Sequence, residues 1–574
     1  MRRFLTACLA AVLASGYALT LGSADTAVAS LPDAKDIAKQ ILATHAGHFM
    51  TGNARAAFEM VARGDQELSH GSNSQDARAA AGTKQAAGGE GPGDASFTNV
   101  RVNNPAEDSH QVGQTTQSET SIAAVGKNVA VGFNDSQHTL LRFTAGTNFN
   151  GIAYSRDGGA TFTDGGVIPN HPGCVNLGDP WLTSDRSGAM YYSSLANCLS
   201  PTRFALDIGV SKSTDGGKTW SVPVILSSSL NAFSYQADKD AMTTGKNPSD
   251  PSKDEIYDTW DDFSFDPFLG PVSGLPVARS YDGGATWSIT YASQVPLSAP
   301  CPGSPVFTSF AQYIGAMPIA GADGTLYVAS EKISQACPAP GPPCTAKPCP
   351  PPPPLVRSIV VFKSATGGKT FGPETTVAVI APSAPPFDLF KLDEGKYMRN
   401  LEFPTMAFLG SDLLIAWNDG GATGADAGHS HIRLARSTDG GVTWTTRFVT
   451  GGANDQMQPA MSGDQSGVHI LYYQRNPDNT LDVKVGNSDD GQAFSTRRVT
   501  TRSFPGVLNF PQFDPIIAFS YMGDYIANIS DGSRLLFAWG DNRDIVHDFL
   551  FPNGRNDPNV YFATHVGEGN QQGG

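Results

Sequence analysis

One phrase recurs along this chain and constrains its fold more than any other feature. Ser155-Arg-Asp157-Gly-Gly-Ala-Thr161-Phe162 returns as Ser213-Thr-Asp215-Gly-Gly-Lys-Thr219-Trp220, as Ser280-Tyr-Asp282-Gly-Gly-Ala-Thr286-Trp287 and as Ser437-Thr-Asp439-Gly-Gly-Val-Thr443-Trp444. Two degraded copies, Ser364-Ala-Thr366-Gly-Gly-Lys-Thr370-Phe371 and Ser488-Asp-Asp490-Gly-Gln-Ala-Phe494, bring the number to six. Successive copies lie roughly 50 to 85 residues apart, the spacing of a repeat architecture. Each follows a β-rich run such as Ile208-Gly-Val-Ser or His431-Ile-Arg-Leu-Ala-Arg, so Asp-Gly-Gly falls where one strand reverses into the next. Glycine supplies the positive φ of the turn, and Asp caps nearby backbone amides. The Thr and the aromatic then resume the strand, the aromatic reading as a wedge between neighbouring sheets. Asp157, Asp215, Asp282, Asp439 and Asp490 are therefore expected to fold the chain rather than to catalyse or bind metal.

The phrase resembles the Asp-box, or bacterial neuraminidase repeat, of sialidase-like β-propellers, and the resemblance extends over residues 95–566. It implies an all-β propeller of four-stranded antiparallel blades, with each box between the third and fourth strands, opposite the binding face. Inner hairpins recur at Ser121 to Phe133, Pro180 to Tyr192, Ala241 to Trp260, Tyr313 to Ala329, Pro404 to Trp417, Pro459 to Tyr473 and Tyr525 to Trp539. That count predicts seven blades, with six, the number in familiar sialidases, as the alternative. The last unit ends at Asn559-Val-Tyr-Phe-Ala-Thr-His-Val566 without a box. Its missing fourth strand is expected from Phe97-Thr-Asn-Val-Arg-Val102, which would close the ring and remove two exposed edges.

Met1-Arg-Arg, an apolar stretch and Ala27-Val-Ala29 read as a signal peptide over 1–29, making the product secreted or periplasmic. Residues 30–70 carry weak helical periodicity, 71–94 read as a flexible linker, and 567–574 as a disordered tail. The full chain has a formal charge of -15; losing Arg2, Arg3 and Asp25 with the leader leaves -16. Such acidity without a basic stripe argues against nucleic acid and anionic membrane partners, and no run beyond the leader is long and apolar enough for a membrane span. Six cysteines remain, and in an exported chain they suggest three disulfides. On the blade topology, Cys174 is expected to pair with Cys198 and Cys301 with Cys337, leaving Cys344 and Cys349 to close a small ring.

Polar residues recur where the inner strands begin: Glu119, Asp179, Asp240, Gln312, Glu402, Gln458 and Asp524. Carboxylates converging on the axis suit the acid and base of glycoside hydrolysis; they suit equally a cation, or hydrogen bonds between blades. Asp179, Asp240, Glu402 and Asp524 are the candidate catalytic residues. A second set, Asn134-Asp135, Trp260-Asp-Asp262, Trp417-Asn-Asp419 and Trp539-Gly-Asp541-Asn-Arg543, reads as turn-forming, and His429 and His431 as exposed polar residues. Long loops with Phe263, Phe265, Phe268, Phe387, Phe390, Tyr397, Phe510 and Phe513 form an aromatic rim suited to sugars. The resemblance also implies an arginine triad, an Asp acid and a Tyr–Glu nucleophile, yet the chain has no Arg-Ile-Pro and its first blade offers only Arg142. Arg399, Arg475 and Arg543, with Tyr397 and Tyr525, remain as candidate substrate-binding residues; Tyr as nucleophile would need Glu402 or Glu394 beside it. The expected partner is carbohydrate or glycoprotein, met by a monomer, and the expected activity either a glycoside hydrolase or a non-catalytic propeller binding glycan or protein. No cofactor is required, although a structural cation such as calcium is compatible with the acidic axis.

Overall fold

The computed structural model describes residues 97–107, 116–136, 148–200, 203–226, 237–266, 270–301, 308–338, 353–383, 389–391, 397–506, 522–547 and 552–566. The 1–29, 30–70, 71–94 and 567–574 segments lie outside these residues, as do Arg142, Glu394, Cys344 and Cys349.

Seven antiparallel sheets of four main strands each follow one another along the chain as a seven-bladed propeller. Blade 5 shows the plan: Thr405–Leu409, Asp412–Asp419, His431–Ser437 and Thr445–Phe448 pair in order from axis to rim. The inner strands of blades 1 to 7 begin at Gln117, Trp181, Ala237, Thr308, Thr405, Asp455 and Ala527. Each touches the inner strand before and after it, and Ala527–Ser530 touches Gln117–Val125, so the ring closes. Blade 7 takes its outermost strand from Val100–Arg101, paired antiparallel with Arg555–Val566. The strand expected from the front of the domain is thus the one that closes it.

There is no central core; the apolar mass is distributed between blades. In blade 7, Leu535, Phe537 and Trp539 pack against blade 6, while the alternating Leu536 and Ala538 pack against blade 1. A strand sandwiched on both faces buries both parities, which explains its continuous apolar run. The box aromatics complete these slabs: Trp220 stands edge-on to Tyr192 at 5.6 Å and Phe162 edge-on to Phe562 at 5.0 Å. Trp287, Phe371, Trp444 and Phe494 likewise pack against interblade clusters, as the wedge reading expects.

All six boxes join third to fourth strands. In the box of blade 2, Ser213 Oγ donates to Asp215 Oδ1 at 2.9 Å and accepts from Gly217 N at 3.0 Å, while Asp215 accepts from Thr219 N at 2.9 Å and Thr219 Oγ1 at 2.6 Å. Blades 1, 3 and 5 repeat this network. Five of the six hairpins are also clipped by a neighbouring blade. The residue preceding the box Ser reaches the next blade's box carbonyl: Lys212 Nζ donates to Gly283 O at 2.9 Å, Arg279 to Gly368 O at 2.8 Å, Lys363 to Gly440 O at 3.0 Å and Arg436 to Asp490 O at 2.8 Å. Arg534 donates to Gly158 O across the closing interface. The cation before the box Ser, present in four of the six copies, was legible in the sequence as a second repeat within the first.

Cys174–Cys198 and Cys301–Cys337 are disulfides with Cα atoms 4.1 and 5.5 Å apart, as expected. Both staple the face opposite the boxes, and they are consistent with an extracellular protein. Among the described residues no helix is long and apolar enough to cross a membrane.

Candidate functional site at the loop-face end of the axis

Where the inner strands begin, the backbone bulges. Glu119, Asp179, Lys239 and Gln458 have φ of 53°, 57°, 26° and 50°, and Gly315 and Gly523 occupy the corresponding region in blades 4 and 7. Left-handed non-glycine residues persist only where their surroundings hold them, and here the freed amides are captured. Asp179 N donates to Asn134 Oδ1 at 2.8 Å, Gly315 N to Asp261 Oδ2 at 2.6 Å and Gln458 N to Asn418 Oδ1 at 3.2 Å. Each acceptor belongs to the preceding blade. The second-strand set is therefore corrected in part: Asn134, Asp261 and Asn418 are staples between blades, whereas Asp419 and Asp541 form turns as expected, accepting from Gly421 N at 2.7 Å and Arg543 N at 2.9 Å.

The candidate acids are deeply placed. Asp179, Asp240 and Glu402 are fully buried and Asp524 is 2% exposed. Glu119 accepts from Asn134 Nδ2 at 2.7 Å and from Asp524 N at 3.0 Å. Asp524 forms a two-point ion pair with Arg399. Glu402 is bound by Arg357 and by the amide and hydroxyl of Ser383. Asp240 accepts from Ser193 Oγ of blade 2, and burial pushes its carboxyl up to about 7. Asp258 lies near it, fully buried and pushed well above the usual carboxylate range by burial and by Asp240. Asp240 Oδ1 and both Asp258 oxygens have no hydrogen-bond partner, so burial disfavours the charged form of both carboxyls. Gln312 is fully buried with neither amide atom hydrogen-bonded.

The three arginines are engaged separately, Arg399 by Asp524, Arg475 by Asp455 and Arg543 by Asp541. Each carboxylate partner already satisfies the guanidinium that a substrate carboxylate would need. Tyr525 is buried and donates to Pro180 O at 3.0 Å; the side chain of Tyr397 lies outside the described set. His431 is fully buried with Nδ1 against Gln456 Oε1, which corrects its reading as exposed. Phe263 is buried in an apolar cluster that draws on blades 2 to 4 rather than on a rim; the side chains of the other rim aromatics are not among those described. Among the described residues no group of three or more His, Cys, Asp or Glu is arranged to hold a metal.

Sequence reasoning missed Lys239. It is 3% exposed, with Nζ 4.4 Å from the ring centroid of Trp181, 4.9 Å from Tyr525 and 5.9 Å from Phe403. These residues stand at one end of an axial channel of about 440 Å³ lined by all seven inner strands. The signal was a lysine between two acids, Asp238-Lys-Asp240, at a position where blades 1 and 2 place an acid.

No protein-family model and no curated protein matches the chain. Among solved structures it is similar to a protein of unknown function from Dyadobacter fermentans (14% identity, 83% of this chain and 100% of that chain, TM-score 0.40). It is similar also to an alpha-L-arabinofuranosidase from Fusarium graminearum (12%, 68% and 93%, 0.38) and to an intramolecular trans-sialidase from Ruminococcus gnavus (11%, 71% and 97%, 0.37). Likenesses at this level bear on neither activity nor substrate.

Proposed function

We propose that the chain is an exported, sialidase-like propeller that binds carbohydrate through its loop face and has no hydrolytic centre at its axis. The observation carrying this reading is the commitment of the axial acids. Asp179, Asp240, Glu402 and Asp524 are buried to 2% exposure or less, and Asp524 and Glu402 are bound by arginines. A glycosidase needs one acid able to donate to a leaving oxygen and a second able to reach the anomeric carbon or its water. Carboxylates that hold blades together reach neither. Carbohydrate as the ligand class is supported by the Asp-box resemblance, and export by the leader's composition.

The test is a glycan-binding screen on residues 30–574, run beside a panel of fluorogenic glycosides that includes a sialoside. Binding without turnover is the expected result. Turnover abolished by Glu402→Gln, in a variant that still folds, would replace this reading with a glycoside hydrolase.

A further inference from the structure

Three of the acids at the head of the axis have polar or cationic partners. Asp524 holds Arg399, Glu402 holds Arg357, and Glu119 takes Asn134 and the Asp524 amide. Lys239 has no carboxylate within ion-pair distance among the described residues. Its Nζ makes one hydrogen bond, to Asp240 O at 3.2 Å, and otherwise meets aromatic faces and the channel. An ammonium removed from water without a counter-ion is costly, and burial lowers the basicity of this amine against the raising influence of Asp261, Asp240, Asp179 and Glu119. Lysines desolvated in apolar pockets are activated nucleophiles, and a channel of about 440 Å³ admits a small molecule.

We propose that Lys239 is a reactive amine that captures a small, uncharged aldehyde or ketone entering the axial channel, as an imine. The Nζ lone pair adds to the carbonyl carbon to give a carbinolamine. Its hydroxyl takes one proton from solvent and leaves as water, and the iminium so formed returns its nitrogen-bound proton to solvent as it becomes the neutral imine. One C=O becomes one C=N and one water, with nothing oxidised or reduced. Trp181, Tyr525 and Phe403 fix the position of the nitrogen and limit water beside it. An uncharged ligand suits the site because the acids around Lys239 oppose a further anion. This site is independent of glycan binding on the loop face.

The test uses the full chain with glycolaldehyde and borohydride at about pH 7.5, followed by peptide mapping. Exposed Lys127, Lys218 and Lys253 serve as references within the same molecule. Lys239, made less basic by burial and held against aromatic faces at the channel, should be trapped faster than these three. Trp181→Ala, which admits water, should reduce that preference, and Lys239→Arg should remove the label while keeping the charge. Trapping of Lys239 no faster than the references in the folded wild type overturns the proposal and leaves the aromatic cage as a structural plug; that comparison stands even if a variant fails to fold.

Discussion

The two faces of this propeller satisfy their carboxylates in opposite ways. On the box face, an aspartate is exposed and served by neighbours two to four residues away: Asp215 takes the Ser213 hydroxyl and the Lys218 and Thr219 amides. Burial is the largest single influence and raises its carboxyl, but the hydrogen bonds from Thr219, Ser213 and Lys218 together outweigh it and hold the carboxyl down at about 2. On the loop face the acids are buried and partnered from other blades, Asp524 by Arg399, Glu119 by the Asp524 amide and Asp240 by the Ser193 hydroxyl. Local satisfaction can be copied from blade to blade because it travels with eight residues. Satisfaction across blades has to be solved separately at each joint.

The sharpest way to break this contrast is at the ion pair. Arg399→Ala leaves Asp524 buried without its partner and should cost about 3–5 kcal/mol by chemical denaturation; a cost near zero would mean that water already reaches the axis. Next comes the covalent staple, which the box face does without. Cys174→Ser with Cys198→Ser should lower stability by about 2–4 kcal/mol and raise proteolytic nicking on the loop face only.

Titration should separate the faces by sign. Burial raises the Asp240 carboxyl to about 7, so the folded state favours its protonated form. That contribution is complete below the unfolded value near 4 and is lost as pH rises through about 7. Asp240→Asn should flatten the fall in stability across that window. Asp215 and Asp282, lowered to about 2, contribute above the unfolded value and lose that contribution as pH falls through about 2. The smallest effect is expected from Asp215→Ala, about 1 kcal/mol, with the blade still assembled; if this change unfolds the protein, the boxes are coupled far more tightly than their local bonds imply.

The same contrast marks what could be read from the chain. The box hairpins, the wedge aromatics, the seven inner strands and both described disulfides were legible because each is written in short-range spacing or follows from the repeat. The residues of the axial ring were also visible as a recurrence, Glu119 through Asp524, but their partners were not. Asp524 and Arg399 are 125 residues apart, and Glu119 and the Asp524 amide 405. No periodicity links such pairs. Asn134, Asp261 and Asn418 looked like turn residues because their type favours turns, whereas their acceptor oxygens are used on a bulge in the next blade. Lys239 went unnoticed because one lysine among acids reads as a solvated surface until its burial is known.

Closure by the Val100–Arg101 strand has a consequence measured in time. Its partner, Arg555–Val566, is joined to it through Asn103 and Asn559, whose side chains bond at 2.8 Å across 456 residues of chain. At about 5–20 residues per second, synthesis of the intervening blades takes roughly 20–90 s. For that interval the leading strand has no sheet to join, and the last blade completes its sheet only when the first-made residues return to it. Assembly of the ring is therefore gated by the end of the chain, however early its individual blades fold.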